Sequence, residues 1–147
     1  MNALSRRHFG LCAALAAAAA ALPARAQSPV AGEKKNKVIF QVSDNDPAKW
    51  GLALNNANNV QSALGADAVD IEIVAYGPGI GMLEAGSPVA PRSTAALKAG
   101  TKVVACENTM KGRKLTAADM LPDIGYVASG VVELMQKEQQ GYAYIRP

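Results

Sequence analysis

The chain has 147 residues, with 15 Lys and Arg against 12 Asp and Glu, one histidine and two cysteines. Three of the basic residues (Arg6, Arg7, Arg25), the histidine (His8) and one cysteine (Cys12) fall within the first 26 positions. Residues 27–147 are therefore near neutral, with no histidine and a single cysteine. This removes the general electrostatic case for nucleic acid or anionic membrane and excludes a histidine base, a Cys–His dyad and a histidine or multi-cysteine zinc site.

Taken in chain order, the N-terminus reads as a targeting segment. Arg6 and Arg7 give a basic start, Leu11 to Leu22 is an uncharged Ala/Leu run, and Ala24-Arg25-Ala26 has the small-x-small pattern cut by signal peptidase. Residues 1–26 are expected to be a cleavable signal peptide. Ser5-Arg6-Arg7-His8-Phe9 is similar to the twin-arginine export signal, which implies a periplasmic location. The run falls short of the ~20 residues that span a bilayer, so no stable membrane anchor is expected after processing. Residues 27–36 are polar and aperiodic, a flexible lead-in, and residues 37–147 form one domain, large enough to bury about two-thirds of its unfolded surface.

Val38 to Val42 is a near-continuous apolar run, as expected for a strand covered on both faces. Asp46 then stands as an N-cap with Pro47 at the first helical position, and Trp50, Leu54, Ala57, Val60 and Leu64 recur at helical spacing down to Gly65. "VDIEIVAY" predicts a second strand, Gly77 to Gly81 a loop, and "TAALKAG" the end of a second helix. "KVVAC" is the third strand. Thr116 to Asp119 resembles a capping box, and Pro122 limits its helix to a turn or two. "IGYVAS" is a fourth strand, "GVVELMQKEQQG" a helix with Val131, Leu134 and Met135 on one face, and "YAYIR" the last strand. The alternation predicts a single three-layer α/β domain around a mainly parallel five-stranded sheet, in a flavodoxin-like layout.

In such a sheet every strand delivers its C-terminal end to one edge, where ligands bind. The residues arriving there are Ser43, Asp44 and Asn45 after strand one, Tyr76 and the loop of Gly77, Gly79 and Gly81 after strand two, Cys106, Glu107, Asn108 and Thr109 after strand three, and Ser129 and Gly130 after strand four; Ser43, Asp44, Asn45, Gly77, Gly79, Gly81, Asn108, Thr109 and Ser129 are the candidate binding residues. A lone cysteine in an exported chain is a buried passenger, an intermolecular link or a reactive thiol. Helical backbone N–H groups after Cys106, with Lys111, Arg113 and Lys114 nearby, favour thiolate, whereas Glu107 opposes it. On that balance Cys106 is expected to be a partly exposed nucleophile. The glycine loop lacks the G-x-G-x-x-G spacing and contains Pro78, so it reads as a tight, closely approaching turn rather than a phosphate cradle. Trp50, Met110, Met120 and Met135 are expected to pack, and Asn55, Asn56, Asn58 and Asn59 to form a solvated or subunit-facing surface.

"KVIFQVSDNDPAKWGLALNNANN", "VVACENTM" and "GYVASGVVEL" followed by "GYAYIRP" resemble the DsrE/DsrF-like sulfur-relay family, in its small exported branch, over about Lys37 to Pro147. The resemblance implies a compact α/β domain that forms homo-oligomers. It also implies an active-site cysteine, here Cys106, that accepts a sulfane sulfur as a persulfide and passes it between a donor and an acceptor. No metal or organic cofactor is needed for that chemistry, and no nucleic-acid partner is implied. The chain departs from the pattern in being exported, since relay members commonly act in the cytoplasm with partner subunits, and some members lack sulfur transfer. Whether it is a sulfurtransferase-like enzyme is therefore left open. The alternative is a non-enzymatic module binding a flavin or nucleotide in the same crevice, with Cys106 structural. Independently, Leu121, Ile124, Tyr126, Val127, Val131, Val132, Leu134, Met135, Tyr142, Tyr144 and Ile145 are more apolar residues than one short helix and two strands need bury, which predicts a dimer or trimer.

Overall fold

Apolar runs with no polar face cannot be left open to water on either side, and they pair as parallel strands under helices. The computed structural model describes residues 35–147, so the expected signal peptide and nearly all of the lead-in lie outside the described residues. Strands β1 (Asn36–Val42), β2 (Val69–Ala75), β3 (Lys102–Cys106), β4 (Gly125–Val127) and β5 (Ala143–Ile145) form one sheet in the order β4-β3-β2-β1-β5. Every pairing is parallel. The first strand opens at Asn36, one residue before the expected start.

Four helices connect the strands: α1 (Pro47–Leu64), α2 (Ala90–Lys98), α3 (Glu107–Arg113) and α4 (Gly130–Gln139). The Asp46 carboxylate accepts from the Ala48 N–H at 2.9 Å, and Gly65, at a φ of 89°, ends α1. The Thr116–Asp119 capping box forms around a single 3-10 turn, Ala117–Asp119, with the Asp119 carboxylate accepting from the Thr116 N–H at 2.8 Å. The shorter aspartate reaches because the turn is tighter than an α-helix.

The period of two along the strands divides the interior into two unequal cores. Val38, Phe40, Val42, Ile71, Ile73, Ala75, Val103 and Ala105 face Trp50 and Leu54 of α1 and Met110 of α3. On the other face, Ile39, Val74 and Val104 meet Leu134 of α4, with Tyr76, Val127 and Tyr142 packed at the margin. That face is covered by one ten-residue helix and these flanking side chains, against three helices and their connections opposite. The expected apolar face of α4 is corrected accordingly: Leu134 is buried, but Val131 and Met135 are 58% and 50% exposed. The helix lies instead on Gly130, Leu134 and the aliphatic stem of Lys137, whose Nζ reaches the carboxylate of Glu72 at 2.8 Å. Glu72 is only 2% exposed. Burial pushes its carboxyl above the ordinary value, against the pull of Lys137.

Candidate functional site

Adjacent strands β3 and β4 send their following helices to opposite faces of the sheet: α3 packs through Met110 into the large core and α4 through Leu134 into the small one. Diverging connections open a crevice at the strand ends. Cys106 occupies it as the last residue of β3 and the residue capping α3. Alternation along β3 puts its side chain on the same face as Val104, the face that α4 covers.

Four donor groups are set around Sγ and act on its titration: the hydroxyl of Thr109 and the backbone N–H groups of Gly130, Thr109 and Asn108, the last of which also donates to the Ala128 carbonyl at 3.2 Å. The Thr109 and Asn108 donors come from the first turn of α3, and Gly130 is the first residue of α4. The thiol therefore lies at the positive ends of two helices at once. A further bond fixes the polarity of the threonine. The Gly77 N–H donates to Thr109 Oγ1 at 2.9 Å, which leaves the hydroxyl proton free to point to the sulfur. Burial pushes the Cys106 thiol up, but the Thr109 hydroxyl and the three backbone donors outweigh it and bring the thiol below its ordinary value. Backbone and hydroxyl dipoles, rather than the nearby basic residues, account for this. Arg113 is instead paired with Glu84 at 2.8 Å.

The expected partial exposure of Cys106 is not observed, since the residue is 4% exposed. The reason lies in Gly130. A Cβ there would stand 2.9 Å from Tyr76 Cβ and 3.0 Å from its Cδ1, so only glycine lets α4 start this close to β2. That approach brings the Gly130 backbone N–H beside the buried sulfur.

The other residues expected at this edge separate into groups. Gly77, Asn108 and Thr109 join Cys106 in one hydrogen-bonded cluster. Asn45, Gly77, Gly81 and Thr109 line a cavity of about 820 Å³ that also includes Trp50, Glu84 and Arg113, and Cys106 is not part of its lining. Gly79 lies in neither group: it is buried against β1, where a Cβ would stand 2.4 Å from the Val42 carbonyl oxygen. The glycine loop is a close-approach turn, and its N–H groups are used internally, Gly77 by Thr109 and Gly79 by the Tyr76 carbonyl at 3.1 Å. Asp44 pairs with Lys49 at 3.2 Å and Arg146 at 3.3 Å, and Ser43 accepts from the Gln41 amide at 2.9 Å. Ser129 contributes its carbonyl to the first turn of α4, accepting from the Glu133 N–H at 2.9 Å, and makes no side-chain cap. Among the described residues, no cluster of three or more His, Cys, Asp and Glu side chains could hold a metal ion.

Gly130 and Tyr76 complete the site; both stand at the strand ends where the sequence put them, but neither was singled out as a binding residue. The available signal was the Ser129-Gly130 junction opening a helix, where a glycine has no propensity reason to stand and so marks a close approach.

No curated protein matches the chain. Among solved structures, it is similar to a protein of unknown function from Methanobacterium thermoautotrophicum, with 29% identity and a TM-score of 0.73 over 76% of this chain and 99% of that one. A conserved protein of unknown function from Bacteroides thetaiotaomicron shares the fold at 14% identity, with a TM-score of 0.58 over 76% of this chain and 95% of that one. Residues 36–147 match the DsrE/DsrF-like family, covering the sheet, all four helices and the cysteine crevice, and the chain belongs to that family.

Proposed function

We propose that the protein is an exported sulfur carrier of the sulfur-relay type, holding a sulfane sulfur as a persulfide on Cys106. The observation that carries this reading is the convergence of four donors on a thiol brought below its ordinary value, in a family associated with sulfur relay. The thiolate attacks the outer sulfur of a donor. With thiosulfate, the Sγ–S bond forms as the donor S–S bond breaks and sulfite leaves with the electron pair, so no external oxidant is required. The product is again an anion, and the donors that hold the thiolate are placed to stabilise it. Handing the sulfur to an acceptor thiolate reverses the same exchange.

Two further elements belong to this reading. Residues 1–26 serve as a twin-arginine leader, which makes the site of action the periplasm. The thinly covered face of the sheet, with Val131, Val132, Met135 and Tyr144 exposed around α4, is the contact between copies in a homo-oligomer. A second reading, a small-ligand module with Cys106 structural, is favoured by one observation: the large cavity does not include the cysteine. Incubation with thiosulfate or polysulfide followed by intact-mass measurement separates the two. The carrier gains sulfur on Cys106 and Cys106→Ser gains none, whereas an unmodified wild-type mass leaves only the ligand module.

A further inference from the structure

We propose that the cavity beside Thr109 binds a zwitterionic organic thiol of small-peptide size, or its persulfide, as the exchange partner of Cys106. The choice of a thiol rests on the sulfur-carrier reading, but the binding does not. At about 820 Å³ the cavity lies in the range that encloses an organic ligand, and an inorganic donor of a few atoms would fill only a small part of it.

Its charge pattern selects the class. Glu84 and Arg113 are the only ionisable residues in the lining, one of each sign, and they are joined at 2.8 Å. They bring two walls together, because Glu84 follows the 3-10 segment Gly77–Leu83 and Arg113 ends α3. Both side chains remain partly exposed, so exchanging this ion pair for a ligand carboxylate on Arg113 and a ligand ammonium on Glu84 costs little desolvation. Such a zwitterion leaves no charge unpaired, whereas a phosphate-bearing ligand without a cation would strand Glu84 and find no free loop N–H at Gly77 or Gly79. The rest of the lining mixes apolar surface with the neutral polar side chains of Asn45, Ser87 and Thr109. Trp50 has its Nε1–H donated to the Asp44 carbonyl at 2.7 Å, and Pro78 and Pro88 flank the cavity.

The cavity adjoins the cysteine through Thr109, which belongs to its lining and acts on Cys106 Sγ; Cys106 itself is buried outside the lining, so exchange requires the Thr109 side chain to turn aside. In the transfer, Sγ bonds to the outer sulfur of the ligand persulfide, the ligand S–S bond breaks, and the organic thiolate leaves with the electron pair.

Trp50 is the only tryptophan in the chain and lines the cavity, so its emission reports occupancy directly. The probe is the dipeptide S-methylcysteinylglycine, which carries one ammonium and one carboxylate but can neither give nor take a sulfane sulfur. Its titration into the full chain is expected to change Trp50 emission saturably, and Arg113→Gln and Glu84→Gln, confirmed as folded by thermal unfolding, each weaken binding about tenfold. A linear, unsaturated response in wild type overturns the proposal, as does unchanged affinity in both variants. Tighter binding of adenosine monophosphate than of S-methylcysteinylglycine overturns the ligand class. Because the probe is inert, these outcomes are independent of whether Cys106 accepts sulfur in the mass measurement.

Discussion

Replacing Thr109 with valine removes one hydroxyl at nearly constant shape and should change two measurable quantities at once. The hydroxyl donates to Cys106 Sγ and accepts from the Gly77 N–H at 2.9 Å. A hydrogen bond to a charged group contributes about 1.5–3 kcal/mol, and 1.4 kcal/mol is a factor of ten, so thiolate population below the thiol's titration midpoint should fall roughly 10- to 100-fold. The rate of iodoacetamide alkylation at a fixed pH in that range reads this directly, with the full pH profile shifted upward. The Gly77 N–H, left without its partner at a partly buried position, should lower folding stability by about 1–3 kcal/mol in urea unfolding. Thr109→Ser keeps the hydroxyl and should retain most of the wild-type profile. An alkylation profile in Thr109→Val superimposable on wild type would refute the assignment of Thr109 as a thiolate donor.

Gly130→Ala would place a Cβ 2.9 Å from Tyr76 Cβ, and relieving that contact moves the start of α4 away from β2. The alkylation profile should shift upward while overpacking costs about 1–3 kcal/mol, and a profile unchanged from wild type counts against the Gly130 donor. Gly79→Ala has no room, at 2.4 Å from the Val42 carbonyl oxygen and 2.8 Å from Ser43 Cα, and should cost about 3–5 kcal/mol or prevent soluble expression; a urea midpoint near wild type contradicts this. Lys137→Met leaves Glu72 buried without its cation and should cost about 3–5 kcal/mol at neutral pH. The Glu72 carboxyl is held above its unfolded value, so the native state binds that proton more tightly, and its contribution is greatest below the unfolded value and lost as pH rises through the folded one. The deficit of Lys137→Met should therefore shrink as pH falls through the Glu72 titration. A deficit independent of pH would place the cause elsewhere.

The framework was legible because its signals are local. The apolar runs at Val38–Val42 and in β2 read as buried strands, Asp46-Pro47 as a helix start, and parallel pairing then brought Cys106, Asn108, Thr109 and Gly77 to one edge. The glycine loop also proved to be the close-approach turn that its spacing implied. What could not be read was set by distant packing. Three of the four donors on Sγ are backbone groups, which carry no residue identity, and the Gly130 donor arrives only because α4 abuts Tyr76. The burial of Cys106 follows from that same approach. The face of α4 was misassigned because helical spacing favoured Val131 and Met135 over Lys137, whose stem packs only because Glu72 lies beneath it.

The most direct test of the central claim is the state of Cys106 in protein taken from the periplasm without reductant, mapped by peptide mass spectrometry after alkylation. The account predicts that the processed chain is present there and that a fraction of the Cys106 peptide carries an additional sulfur, removed by dithiothreitol. A fully unmodified thiol under conditions of abundant sulfane sulfur would contradict it.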